Sequence, residues 1–416
     1  MESAELYRQL LGLVAPWTVE RVELDVARQH VEVFVGHPAG QRFACPECGR
    51  ELGVSDHQAA RVWRHLDSCQ FLTYLPARPP RVSCPEHGVR QVTLPWAQAG
   101  SRFTHLFEVL AIDILRATDV KKAAALLRVS WDEAWHLMER AVLRGRAAKG
   151  GSIPTHIGVD EKAIAKGHRY MTLVCDLKEA TVEYIGEERK EASLAAYFEA
   201  FPQEAREGIE AIGLDMWPAY IKACRDKVPQ ADAKMVFDRF HIMRHVVEAV
   251  DKVRKQEHKA LLQAGDTTLT KSKYLWLTNP ENMTDKARVR FEELKSAELK
   301  TGRAWALKEA LRELWNYTSA TWAAKFWQRW YFWATHSRLK PMIEAARLIA
   351  RHLLNVLTYF THRISNAVAE GLNSKIATVQ KRACGYRNPD HFKIAVYFHC
   401  GGLNLYPATV THTKVG

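Results

Sequence analysis

The chain has 416 residues, of which 47% are hydrophobic and 25% charged; this fits several globular domains and excludes a wholly disordered or coiled-coil chain. No run of about 18 apolar residues argues for a membrane-spanning helix. The opening MESAELYRQLLGLVAPW lacks the basic start and small-residue cleavage site of a secretory signal, so a cytoplasmic chain is expected. Its 59 Lys and Arg against 47 Asp and Glu, a net charge of +12, point to a polyanionic partner without naming it.

Among the eight cysteines, one close pair stands out, Cys45-Pro-Glu-Cys48-Gly49, and Cys84-Pro-Glu-His87-Gly88 repeats its shape with one substitution. In a cytoplasmic chain such pairs read first as metal ligands. Two knuckles of two ligands each, closed by glycine, make a tetrahedral zinc site of three thiolates and one imidazole. The interval holds candidate strands at Val62–Leu66 and Phe71–Leu75, as in a zinc ribbon. Four protein ligands leave no open position, so this zinc is structural. The other cysteines read as small buried hydrophobes.

Phe103, Leu106, Phe107, Leu110 and Ile114 follow at helical spacing. After Thr118-Asp119 a second helix runs through Val120–Leu127, and Ser130 caps a third beginning at Trp131. The last two form a helix-turn-helix pattern, whose second helix enters the DNA major groove. Lys121, Lys122, Arg128, Arg140, Arg144 and Arg146 are the phosphate-contact candidates. Asp132, Glu133 and Glu139 would repel DNA, so a plain helical hairpin stays open as the rival.

Beyond Gly150-Gly151 the periodicity changes. His156–Asp160 reads as a buried strand ending in a carboxylate. Two more strands follow, Arg169–Asp176 and Ala180–Gly186, then a helix, Ser193–Phe201. Ile209–Asp215 is again a strand ending in Asp, Trp217-Pro218 opens a helix, and Lys234–Asp238 is the fifth strand. This succession is ribonuclease H-like, a sheet with helices on its faces. Adjacent strands ending in Asp160 and Asp215 would set two hard oxygen ligands side by side, a pair suited to Mg²⁺. Asp176 and Asp238 are the obvious decoys.

From Phe240 to about Tyr359 the strand signals vanish, and this helical stretch carries seven of the thirteen tryptophans. Core packing is the plain reading; the sharper one stacks Trp327, Trp330 or Trp333 on unpaired bases at a DNA end. Next, Ile364, Val368, Leu372, Ile376 and Val379 form an apolar stripe. Glu370, Asn373, Ser374, Ala377 and Lys381 fall on another face. A ribonuclease H-like core needs a third carboxylate on a helix beside its sheet, and Glu370 is the best candidate.

At these residues the chain resembles the bacterial insertion-sequence transposases of the ISL-three group, within the DDE class. The resemblance rests on the C-P-x-C-G knuckle, the helix-turn-helix, G-V-D-E-K around Asp160, L-D-M-W-P-A-Y around Asp215, D-R-F-H at Asp238–His241 and N-A-V-A-E-G-L-N-S-K-I around Glu370. It implies that Asp160, Asp215 and Glu370 form the DDE triad and that the helical stretch is an insertion splitting the catalytic fold. His87 departs from the cysteine many relatives would have there; zinc accepts either. The fold expected is multidomain α/β: a ribonuclease H-like catalytic core interrupted by an all-α insertion and preceded by a zinc ribbon and a helix-turn-helix. The boundaries expected are 1–98 for the zinc-bearing region, 99–149 for the helix-turn-helix, 150–241 plus 360–405 for the catalytic domain and 242–359 for the insertion.

Three carboxylates in a basic protein suit two Mg²⁺ ions, with Mn²⁺ as a substitute, cutting and joining phosphodiesters. Asp238 and His241 would shape the site, and Lys375, Lys381, Arg382 and Arg387 would hold the scissile strand. The partners expected are double-stranded DNA, both terminal inverted repeats and target, and a second copy of the chain, near the bacterial nucleoid. Two rivals are a non-catalytic zinc and helix-turn-helix regulator derived from a transposase, and a structure-specific ribonuclease H-like nuclease.

Overall fold

The computed structural model describes residues 2–165 and 169–407. The chain divides into two units: Met1–Gly150 with Val379–His399 and the chain from Leu403 onward, and Gly151–Thr378 with Cys400–Gly402.

The first unit opens with α1 (Ser3–Leu10), then β1 (Thr18–Asp25), β2 (His30–Gly36), β3 (Arg42–Ala44), β4 (Glu51–His57), β5 (Arg61–Ser68), β6 (Phe71–Ala77), β7 (Pro80–Cys84) and β8 (Gly88–Gln91). They make two four-stranded sheets, ordered β1-β2-β6-β5 and β3-β4-β7-β8. The strands expected at 62–66 and 71–75 exist as β5 and β6, but they pair with the N-terminal hairpin, and β4 and β7 join the two hairpins that carry the Cys and His knuckles instead. Alternation explains the choice. Val31, Val33 and Val35 of β2 face inward with Trp63 of β5 and Leu75 of β6 into one apolar core.

Three helices follow: α2 (His105–Ala117), α3 (Val120–Leu127) and α4 (Trp131–Lys149). Each begins at a side-chain cap, as Thr104, Asp119 and Ser130 accept the backbone N–H of Phe107, Lys122 and Glu133. Arg128, left-handed at φ 54°, ends α3, so two residues suffice to turn into α4. Glu133 reaches back to the Ser130 N–H in a capping box, so one acid expected to oppose DNA has a local structural task.

The second unit is built on β9 (His156–Ala165), β10 (Arg169–Asp176), β11 (Thr181–Glu187), β12 (Ala211–Leu214) and β13 (Met235–Phe237), in the order β11-β10-β9-β12-β13. The first three strands are antiparallel; β9, β12 and β13 are parallel. Between them lie α5 (Glu191–Glu199), α6 (Gln203–Glu207), α7 (Pro218–Lys227) and α8 (Ala231–Lys234). The strand expected to end at Asp160 runs on to Ala165, because its hairpin partner β10 continues the ladder after the parallel pairing with β12 stops at Gly158. Asp160 is therefore a mid-strand residue at the end of the parallel part.

From Arg239 to His362 every described element is helical: α9 (Arg239–Gln263), α10 (Lys273–Leu277), α11 (Asp285–Ser296), α12 (Lys300–Arg312), α13 (Ala320–Thr335), α14 (Lys340–Ala350), α15 (Leu353–Leu357) and α16 (Tyr359–His362), with two short 3₁₀ turns. Then come α17 (Ala367–Arg382) and α18 (Pro389–Cys400). The apolar faces of α9, α12, α13 and α14 share one core with the sheet. Among the described residues no helix is long and apolar enough to cross a membrane.

One ionic contact ties the helices of the first unit. Glu108 of α2 is buried, and its carboxylate accepts from Arg144 at 2.9 Å and from the Ser101 hydroxyl at 2.8 Å, with Arg140 4.0 Å away. A lone buried carboxylate is costly, so this one requires its cations. Replacing Glu108 with Ala leaves Arg144 without its carboxylate, and we expect a loss of about 3 kcal/mol in unfolding free energy, read from urea unfolding of the full chain; E108Q, which keeps hydrogen bonds, should lose less.

Candidate functional site

Both zinc knuckles are turns closing hairpins. Cys45 follows β3, and its N–H bonds the Arg50 carbonyl at 2.9 Å; Gly49, at φ 72°, donates back to Cys45. Cys84 ends β7, and Gly88, at φ 69°, opens β8. The four ligand atoms of Cys45, Cys48, Cys84 and His87 lie within 4.8 Å of one another. Cys48 Sγ is 3.7 Å from Cys84 Sγ, and His87 Nδ1 is 3.5 Å from Cys84 Sγ and 4.0 Å from Cys45 Sγ. Tetrahedral zinc with Zn–S bonds of about 2.3 Å separates its sulfurs by roughly 3.8 Å, so the donors match that ion. His87 draws the Cys84 thiol down to about 6, which makes a thiolate available at neutral pH.

The second site lies in the other unit, where the parallel ladder sets its geometry. Gly158 pairs with Gly213, and Leu214 with Phe237. Continued along each strand, that register brings Asp160, Asp215 and Asp238 to one level across three neighbouring strands. The Asp238 N–H bonds the Leu214 carbonyl at 3.1 Å, which holds the level at its outer end. Asp238 is thus more than the decoy it resembles in sequence: it is buried, with one carboxylate oxygen unpartnered. Asp176, by contrast, is a turn residue that accepts the N–H groups of Lys178 and Glu179.

Glu370, in the first turn of α17, faces this row. Burial raises its carboxyl above the usual range, and the charges of Asp238 and Asp160 raise it further. Asp160 is raised by burial and by Asp215, and Asp238 by burial. His241, in the first turn of α9, works against the rise at Asp160, Asp238 and Glu370. The structure therefore brings Asp160, Asp215, Asp238, His241 and Glu370 into one electrostatic neighbourhood.

Three further residues act on the cluster, and sequence reasoning assigned none of them a role. Asn373, one turn beyond Glu370, donates its amide to Asp160 Oδ2 at 2.6 Å; its place on the Glu370 face of the helix was the available signal. Asn366 is buried above Gly158 and Gly213, where a Cβ on Gly158 would stand 3.2 Å from its Oδ1. Arg189 pairs with Glu161 and with Asp215 at 3.1 Å; nothing in its local sequence marks it.

Several expected DNA contacts are corrected. Trp327 and Trp330 are 3% and 2% exposed, and the Trp330 indole N–H bonds the Leu307 carbonyl. These rings lie on the inner face of α13 and cannot stack on bases, whereas Trp333 is exposed. Arg140 and Arg144 turn inward to Glu108 and Gln98, and Arg128 is held by Asp67 and the Gln70 carbonyl. Lys121, Lys122, Lys375, Lys381 and Arg382 are exposed, although Arg382 also donates to the Arg116 carbonyl and Lys122 pairs with Asp119.

A hairpin pair carrying a Cys₃His cluster, three capped helices and a carboxylate-bearing mixed sheet make up the chain, and each part matches a domain of DNA-binding transposases. Residues 157–396 match the ISL3 family model described as a transposase, residues 41–87 the zinc finger of transposases IS204, IS1001, IS1096 and IS1165, and residues 92–142 the helix-turn-helix domain of transposase family ISL3. The chain belongs to the ISL3 transposase family. It is 27% identical over 399 residues to the transposase for insertion sequence element IS1001 of Bordetella parapertussis, covering 94% of this chain and 98% of that one. It is 25% identical over 421 residues to the transposase for insertion sequence element IS1557 of Mycobacterium tuberculosis, covering 94% of each.

The zinc ligands give a direct test. Protons and zinc compete for the Cys84 sulfur, and a proton must displace bound zinc to reach it, so zinc should be retained at neutral pH and released only once the pH is well below about 6. We expect a chromophoric chelator to extract one zinc per chain, and extraction to need far less acid in C84S and H87A than in the parent protein.

Proposed function

We propose that the protein cuts and joins DNA strands at the terminal inverted repeats of its insertion sequence, with Asp160, Asp215 and Glu370 as the catalytic carboxylates. The observation that carries this reading is the shared level of the aspartates on adjacent parallel strands, with Glu370 facing them. Hard oxygen donors that raise one another's proton affinity suit a hard divalent cation. Bound by the three carboxylates, two Mg²⁺ or Mn²⁺ ions would activate water or a DNA 3′-hydroxyl and stabilise the leaving 3′-oxygen.

The chain's own groups prepare that site. The Asn373 amide and the Glu161 N–H each hold one oxygen of Asp160, at 2.6 and 2.8 Å, and fix the carboxylate plane. The Trp217 N–H holds Asp215 Oδ1 at 3.0 Å, so Asp215 is aimed by the turn that opens α7. Asp238 and His241 set the local field without being assigned as ligands. On this reading the β11-β10-β9-β12-β13 sheet is a ribonuclease H-like core, and residues 242–359 are an insertion before its last helix. The catalytic domain is then 150–241 plus 360–405, although Val379–His399 within that range group with the first unit.

Residues 1–98 and 99–149 would recognise the element's ends. Exposed Lys121 and Lys122 on α3 are suited to phosphate contact there, and Lys375 and Lys381 on α17 to the scissile strand and target DNA. Pairing two ends calls for at least a dimer, working at the bacterial nucleoid. The test is incubation of the protein with cut and uncut terminal-repeat DNA in Mg²⁺, scoring cleavage and strand transfer separately. D160N, D215N and E370Q should each fall to background in both while still shifting end DNA in a gel, and D238N should keep part of the activity. Cleavage by D160N or D215N at the parent rate would sink the assignment.

A further inference from the structure

Arg189, in the turn between β11 and α5, ion-pairs with two carboxylates at once. Its Nε meets Glu161, and its Nη2 lies 3.1 Å from Asp215 Oδ2. The guanidinium also sits 4.0 Å above the Trp217 ring. Asp215 therefore has both oxygens engaged, Oδ1 by the Trp217 N–H and Oδ2 by Arg189. The backbone under Arg189 is pinned: Glu188 bridges to Met171 and accepts the Thr172 hydroxyl at 2.7 Å. The side chain is one-quarter exposed, so it has room to swing.

A divalent ion on Asp215 would lie about 2.1 Å from the oxygen it binds. A guanidinium left against the same carboxylate would then face a double positive charge at close range, and attraction would become repulsion. The guanidinium fork that pairs with a carboxylate also matches a phosphate, and the exposed Trp217 ring supports it in either position.

We propose that Arg189 is a resident cation that occupies Asp215 before metal arrives, yields the carboxylate to the divalent ion, and then pairs with a phosphate of the bound DNA. This rests on reading Asp160, Asp215 and Glu370 as metal ligands. Arg189 is thus a positioning residue for the metal-free site and a substrate contact in the loaded one.

The test is calorimetric titration of the zinc-loaded, DNA-free full chain with MnCl₂, comparing the parent, R189Q and D215N. R189Q should bind Mn²⁺ about tenfold more tightly, the equivalent of about 1.4 kcal/mol, because the competing cation is gone. In Ca²⁺, R189Q should bind terminal-repeat duplex more weakly, and its plot of log affinity against log salt should flatten by about one phosphate's worth, a slope change of roughly 0.9. A merely structural arginine would leave metal affinity unchanged or lower it. Unchanged or weaker Mn²⁺ binding by R189Q overturns the proposal, and so does an unchanged salt slope. If D215N takes up Mn²⁺ like the parent, the metal-ligand reading itself fails; if D215N loses uptake while R189Q gains nothing, only the role of Arg189 fails. Circular dichroism checks folding, and R189K, too short to bridge both carboxylates, carries the same comparison if R189Q does not fold.

Discussion

The arrangement of the second unit depends on a repulsion that the fold imposes on itself. Parallel pairing of β9, β12 and β13 in a fixed register brings Asp160, Asp215 and Asp238 to one level, and α17 adds Glu370. Left alone, those carboxylates would spread apart. What keeps them together lies beneath: Ile157, Val159, Ile212, Leu214, Met235 and Phe237 are all buried in one core. A register slip to separate the charges would turn that whole apolar set toward water, and this penalty is far larger than the repulsion between partly solvated carboxylates. Charge convergence is thus supported by apolar burial.

The same logic, inverted, governs the first unit. The apolar core of its β-rich part, made of tryptophans, valines and leucines, serves mainly the β1-β2-β6-β5 sheet. The β3-β4-β7-β8 sheet buries only Phe43 and Val82 in it, with Leu52 and Val54 of β4 packed partly buried against it. Its two turns converge on four metal-ligating atoms instead. A sheet with so little buried apolar surface needs a cross-link, and zinc ligands at hairpin turns supply one.

How much of this was legible depended on whether the signal was local. The knuckles, the caps at Asp119 and Ser130 and the strand succession around Asp160 and Asp215 are short-range patterns, and each could be read from spacing alone, whereas the Thr104 cap of the first helix was not read. The N-terminal hairpin of β1 and β2 was not foreseen, and the partners of β5 and β6 were misjudged, because strand pairing is decided by contacts far apart in sequence. The same holds for side-chain fate. Trp327, Trp330 and Trp333 fall within one aromatic run, and only the packing of α13 decides which rings are inside. Arg140 and Arg144 look like exposed cations at helical spacing until Glu108, more than thirty residues earlier, claims them. Arg189 was invisible for the same reason: its partners Glu161 and Asp215 flank it at a distance on two other elements.

These assignments change what the net charge of +12 means. Part of the excess is internal, since Arg64 and Arg128 share Asp67 and Arg140 and Arg144 share Glu108. The acidic cluster has the opposite character. Asp160, Asp238 and Glu370 hold protons above their ordinary carboxyl range, first because the protein shields them from water, only in part at the exposed Glu370. A raised folded-state value means the folded chain binds those protons more tightly than the unfolded one. The stability they contribute is present below the ordinary carboxylate range and is lost as pH rises through the raised values. At neutral pH the site is therefore locally strained by its own charge. A cation that enters relieves that strain, so affinity for positive charge is a property of the folded carboxylate row before any ligand is bound.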